Sequence, residues 1–261
     1  MSKPLTYASY LQIPELLTLQ SPKSDGPEHD EMLFIIIHQV YELWFKELLH
    51  ELDYVHQLLV QNDPSRALHT FRRMLTILKT VVSQIDILET MTPVEFNSFR
   101  GFLESASGFQ SAQFREMEFA LGLKRRNFVQ HFEGDPAVQA RLLERFERPS
   151  LWDAFMTYLH LNGYTVPEEI LKRDVTEAIA PSTAVQEILI DIYYNNPVIS
   201  RICERLVDFD EGFQEWRYRH VKMVERTIGM KSGTGGSAGA NYLKTTLNVL
   251  YPDLWAIRSQ L

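Results

Sequence analysis

The sequence predicts an all-α fold, a single-domain helical bundle with no significant β-sheet. Apolar residues recur at three- and four-residue spacing through most of the chain, as they do on helices with one buried face. Two segments, residues 31–61 and about 198–228, sustain that pattern over many turns. No alternating apolar–polar run of useful length occurs, and alternation is what a half-buried strand requires. The chain also shows no internal repeat.

Residues 31–61 contain neither glycine nor proline and are apolar on more than one face. Leu33, Ile36, Ile37, Val40, Leu43, Trp44 and Leu48 form one broad side, and Phe34, Tyr41 and Phe45 another. A helix apolar nearly all round is a buried helix. Asp30 is its expected N-cap, and Asp63-Pro64 marks its end. A second helix fits residues 66–90. Thr92-Pro93-Val94-Glu95 reads as a capping box with proline at the first helical position, opening a short helix to about Leu103. Residues 105–108 interrupt it, and another helix follows to about Leu121. Between residues 124 and 180, Pro136, Pro149, Pro167 and Pro181 punctuate short amphipathic pieces, expected as small helices at the surface. The late long helix carries a stripe of Ile202, Leu206, Phe209, Phe213, Trp216, His220, Met223 and Thr227. A Gly/Ser-rich loop spans 231–239, and a last helical piece is expected over 240–251.

Composition bounds the function. With 45% hydrophobic and 23% charged residues over 261 positions, the chain is an ordinary globular protein able to bury a sizeable core. A net charge of -8 disfavours a nucleic-acid partner. The single cysteine, Cys203, excludes an internal disulfide and a Cys-rich metal site. No run approaches the ~20 apolar residues that span a bilayer, and the N-terminus lacks a signal-peptide pattern, so no membrane partner and a cytoplasmic location are expected.

Two histidines stand out. His38 lies in the most apolar helix, four residues after Phe34, and His220 lies on the late stripe, four after Trp216. Each reads either as a hydrogen-bonded core histidine or as a ligand or acid/base group in an apolar pocket. Arg217 and Arg219 flank His220, as solvated cations or as partners for an anionic group. Arg100 follows Phe96 and Phe99, and is either a rim residue packing its stem or a carboxylate clamp. Glu47-x-x-His50 is half of a di-iron signature, and the second half is missing. The glycines at 233, 235 and 236 follow a helix rather than a strand, which argues against a nucleotide loop, although their N–H groups suit a small anion.

Leu5-Thr-Tyr-Ala-Ser-Tyr-Leu11, Asp30-Glu-Met-Leu-Phe-Ile-Ile-Ile-His38-Gln, Tyr41-Glu-Leu-Trp-Phe-Lys46, Phe99-Arg100, Ser107-Gly-Phe-Gln-Ser111, Trp216-Arg-Tyr-Arg-His220 and Lys231-Ser-Gly-Thr-Gly-Gly-Ser237 occur in that order. Together they resemble the tryptophan 2,3-dioxygenase family across nearly the whole chain, with only residues 124–197 weakly distinctive. The resemblance implies haem b in the core of each subunit, bound without a covalent link, in a homotetramer acting on L-tryptophan and O₂. It implies His220 as the axial iron ligand, with Ser107 and Gly108 also touching the cofactor. His38 is implied as the catalytic histidine that hydrogen-bonds the indole N–H. Phe34, Ile35, Ile36, Ile37, Phe96, Arg100 and Thr234 are implied substrate contacts. Tyr7, Tyr10 and Leu11, in an N-terminal arm over residues 1–27, are implied to complete a neighbouring subunit's pocket. The implied reaction opens the indole ring to N-formylkynurenine. A monooxygenase acting on an indole derivative and a non-catalytic haem sensor are the alternatives.

Overall fold

The computed structural model describes residues 4–26, 28–132, 134–233 and 243–261, and among them no strand occurs. A short arm carries α1 (Tyr7–Leu11) and α2 (Ile13–Leu16). The body follows with α3 (His29–Val60), α4 (Pro64–Ser83), α5 (Ile85–Leu88), α6 (Pro93–Arg100) and α7 (Ala112–Ala120). Then come α8 (Asn127–Gln130), α9 (Pro136–Glu147), α10 (Leu151–Leu161), α11 (Glu168–Leu171), α12 (Thr183–Asn195), α13 (Pro197–Ile228) and α14 (Pro252–Ala256). The two long helices, α3 and α13, both pack on α4, while α7 and α10 cover α3 and α12 covers α13.

The core follows from the spacing. Leu48, Leu52, Val55 and Leu59 of α3 are buried with Phe71, Met74 and Leu78 of α4 and Ile202, Leu206, Phe209 and Phe213 of α13. Gly212 eases the close approach of α13 to α4: a Cβ there would stand 2.8 Å from Leu78 Cδ2, and that side chain would have to shift. Several starts are capped as their residues dictate. Asp63 accepts from the Arg66 amide, Thr92 and Glu95 form the expected capping box, and Asn196 accepts from the Ile199 amide ahead of α13.

The structure corrects several boundaries. Helix α3 begins at His29 with Glu28 rather than Asp30 at its N-cap, because the preceding chain is held instead by buried Glu31, which accepts from the Lys23 and Ser24 amides. The helix expected over 66–90 stops at Ser83 and resumes as α5, whose end tightens into three-residue bonds such as Thr90 N–H to Ile87 O at 3.2 Å. Residues 101–103 form a 3-10 turn beyond α6. The middle segment is not all surface: α10 is core, with Phe155, Tyr158 and Leu159 buried, because its apolar residues occupy most of its circumference. At the C-terminus the helical piece expected over 240–251 lies partly outside the described residues; Leu243 and Lys244 are helical, the chain leaves the helix after them, and a new helix begins at Pro252. Asp210 Oδ2 accepts from the amides of Leu250 and Tyr251, which fixes that stretch in non-helical form. Finally, α3 is not buried all round, since Ile36 and Leu43 are 43% and 54% exposed in the single chain.

Candidate functional site

A large apolar cavity opens between the N-terminal half of α3 and the C-terminal half of α13. Successive turns of α3 present Phe34, His38, Tyr41, Glu42 and Phe45 to it, and α13 presents Trp216, Arg217, His220, Met223 and Thr227. Phe34, His38, Tyr41 and Phe45, like Trp216, His220, Met223 and Thr227, stand at i, i+4, i+7 and i+11, so one face of each helix supplies a wall. The remaining walls come from Phe96 and Arg100 of α6, the turn at Ser107 and Gly108, and Phe114, Arg115 and Glu118 of α7.

The two imidazoles face this space from opposite helices. His38 Nδ1 lies 2.6 Å from the Phe34 carbonyl. A carbonyl only accepts, so Nδ1 carries the proton and Nε2 is left as an acceptor. The ring also packs 4.1 Å from Phe34 between centroids. Burial pushes the His38 pKa down, more than the Phe34 carbonyl and Glu42 pull it up. Burial, aided by His38, pushes His220 down to about 4. Both rings are therefore neutral at physiological pH, the form in which imidazole binds a metal or accepts a hydrogen bond. His220 stacks on Trp216 at 5.3 Å between centroids with the planes 2° apart.

Residues Phe34, Phe96 and Phe99 form an aromatic corner, their centroids 5.4 to 5.8 Å apart. Arg100 stands at its edge and donates through Nη2 to the Ser232 carbonyl at 2.5 Å. On the other side Arg115, Glu118 and Arg217 are buried. Arg115 Nε is buried without a hydrogen-bond partner among the described residues.

Of the residues expected from sequence, the cavity gathers Phe34, His38, Phe96, Arg100, Ser107, Gly108 and His220. Ile35, Ile36 and Ile37 do not line it. Each step along a helix turns about 100°, so residues between 34 and 38 point elsewhere. Ile37 enters the main core and Ile36 is exposed. Tyr7, Tyr10 and Leu11 lie on the exposed arm, away from their own chain's cavity. Thr234 lies outside the described residues. Arg217 faces the cavity, whereas Arg219 turns outward to Asp86 and Glu89. Sequence reasoning passed over Arg115 and Glu118. Their signal was a charged pair three residues apart between Phe114 and Phe119.

These residues suit haem b. A neutral imidazole can ligate iron axially, the aromatic and aliphatic walls suit a flat apolar macrocycle, and buried guanidiniums with an unused donor suit propionates. No Cys-x-x-Cys-His attachment motif is present. Fold and pocket thus define an all-α protein with an apolar cavity between its two long helices, flanked by two histidines.

The chain belongs to the tryptophan 2,3-dioxygenase family: the model of that description matches residues 1–159 and 169–261. It is 64% identical over 261 residues to the tryptophan 2,3-dioxygenase of Herpetosiphon aurantiacus, covering 100% of both chains. It is 53% identical over 266 residues to that of Anaeromyxobacter sp. strain K, covering 100% of this chain and 97% of the relative. It is 41% identical over 265 residues to that of Caulobacter vibrioides, covering 100% of both.

Proposed function

We propose that this chain binds one haem b through His220 and opens the indole ring of L-tryptophan with O₂. Both oxygen atoms enter the product, the C2–C3 bond breaks, and N-formylkynurenine forms. The observation that carries the reading is the pair of imidazoles facing one apolar cavity, one fixed as an acceptor by its bond to the Phe34 carbonyl and one carrying no hydrogen bond from the described residues.

The haem supplies a ferrous centre for dioxygen chemistry. The protein supplies placement. His38 Nε2 accepts the indole N–H, because its proton sits on the nitrogen facing the Phe34 carbonyl. Phe34 and Phe96 bound the indole plane. Arg100 pairs with the α-carboxylate, and its guanidinium is already at the cavity rim. Thr234 meets the amino-acid end of the substrate. Ser107 and Gly108 line the cofactor's edge. The apolar walls exclude water from the reacting atoms.

The chain acts as one domain in a homotetramer in the cytoplasm, with residues 1–27 docking on a neighbour. The exposure of Tyr7, Tyr10 and Leu11 supports the docking. No helix among the described residues is long and apolar enough to cross a membrane.

The deciding experiment is aerobic incubation of the reduced, haem-loaded protein with L-tryptophan. Mass spectrometry with ¹⁸O₂ should find two labelled oxygens in N-formylkynurenine. One labelled oxygen in a hydroxylated indole would replace this reading with a monooxygenase.

A further inference from the structure

Glu118 is 1% exposed, and three arginines share its carboxylate. Arg115 Nη1 donates to Oε2 at 2.5 Å, Arg125 Nη2 donates to Oε1 at 3.0 Å, and Arg217 Nη2 donates to the same Oε1. Glu118 stands in the last turn of α7. Gly122 at φ +102 ends that helix, and the Leu123 amide returns to the Glu118 carbonyl at 2.9 Å. A carboxylate at a helix C-terminus is opposed by the helix dipole, and burial opposes it further. Its arginines offset both costs, so the group is placed there for them.

The arginines report what the placement achieves. Arg115 lies over Phe128 at 4.1 Å and over Phe109 at 5.0 Å, and lines the cavity. Arg217 lies over Phe213 at 4.6 Å, also donates to the Thr246 carbonyl, and lines the cavity. It precedes His220 by three residues on α13, hence on the same side of the helix. One carboxylate therefore joins the cavity wall to the helix that carries His220. It also sets the direction of two guanidiniums at the cavity. We infer that Glu118 is a positioning residue for the haem site: it orients Arg115 and Arg217 toward the anionic edge of the cofactor and locks the turn of α13 that aims His220. The inference rests on the haem reading above.

A carboxylate that merely stitches α7 to α13 would affect stability alone. A carboxylate set beside the cofactor also acts on the iron's charge. Removing it favours the ferrous state, and removing one of its arginines favours the ferric state. The test uses full-length, haem-loaded wild type, Glu118→Gln and Arg125→Gln. Haem release is followed by transfer to excess apomyoglobin, the ferric/ferrous midpoint by spectroelectrochemical titration, and folding by circular dichroism. Glu118→Gln should release haem about 10- to 100-fold faster and raise the midpoint, while Arg125→Gln should lower it. Midpoints that do not move, or that move in the same direction in both variants, overturn the inference. Should Glu118→Gln not fold, Arg125→Gln still decides, because Arg125 is the most exposed of the three arginines. A wild type that takes up no haem overturns the cofactor reading and this one with it. A haem-loaded wild type with unaffected variants overturns this one alone.

Discussion

His38 and His220 face the same cavity from the two longest helices, yet the protein constrains them by different means. The His38 ring is tied by Nδ1 to the Phe34 carbonyl 2.6 Å away, one turn back on its own helix. The His220 ring has no such tether among the described residues and is steadied by the face of Trp216. Burial keeps both neutral. The tether selects a tautomer, which matters for a group that must accept one particular N–H. Stacking fixes the plane and leaves the nitrogens uncommitted, which suits a metal ligand. Orientation is therefore set by the kind of contact, while charge state is set by the shared cavity.

The sharpest way to break this contrast is to remove each ring. His220→Ala should have the largest effect, with haem absent or weakly held and turnover lost. Absorption spectra of the purified variant check it, and a histidine-ligated spectrum with full activity would overturn the assignment. Arg100 comes next. Removing one partner of a buried charge pair costs roughly 2–5 kcal/mol, so Arg100→Leu should lose most of its kcat/KM for tryptophan. Tryptamine, which lacks the carboxylate, should be a poor wild-type substrate, and the variant should narrow the gap between the two. Equal wild-type rates on both compounds would show that Arg100 only holds the Ser232 carbonyl.

His38→Ala should cost less, because a hydrogen bond to a neutral N–H contributes about 0.5–1.5 kcal/mol net. The variant should keep its haem and measurable activity. Complete haem loss would exchange the roles of the two histidines.

Much of this geometry is legible in the sequence, for physical reasons. Helical periodicity places Phe34 and His38, and Trp216 and His220, on common faces, so each wall can be read from spacing alone. The same rule shows why Phe34 and His38 line the cavity while the residues between them do not: Ile37 belongs to the core and Ile36 to the outer surface of the single chain. What spacing cannot show is which distant elements meet. Arg115 and Glu118 reach Arg217 only because α7 and α13 converge, and nothing local in either segment states that. The middle segment misleads for a related reason. Prolines at 136, 149, 167 and 181 suggest a string of surface pieces, but Leu151–Leu161 is apolar on most sides and fills the core against α3.

The contrast between the two sides of the cavity also predicts how the arm acts. Tyr7 and Tyr10 are 78% and 70% exposed, and Leu5, Leu17 and Leu19 are exposed with them. Met32, Ile36 and Leu43 leave a second apolar strip on the outer face of α3, the helix that carries His38. Apolar surface on this scale marks an interaction site. An arm that docked on its own α3 would bury both sets. Its ties to its own α3 are polar, from Gln20 to Gln39 and from the Lys23 and Ser24 amides to Glu31, and the arm's aromatics stay in solvent. Deleting residues 1–15 should therefore loosen the oligomer, seen as a lower mass by size-exclusion light scattering. Loss of an aromatic wall contact is worth about 0.5–1.5 kcal/mol, so the apparent KM for tryptophan should rise severalfold. The haem spectrum should not change, because His220 and its stacking partner lie on the opposite helix. An unchanged oligomer with an unchanged KM would mean that the arm neither joins subunits nor closes the His38 side of the cavity. A disturbed haem spectrum would mean that it supports the His220 side instead.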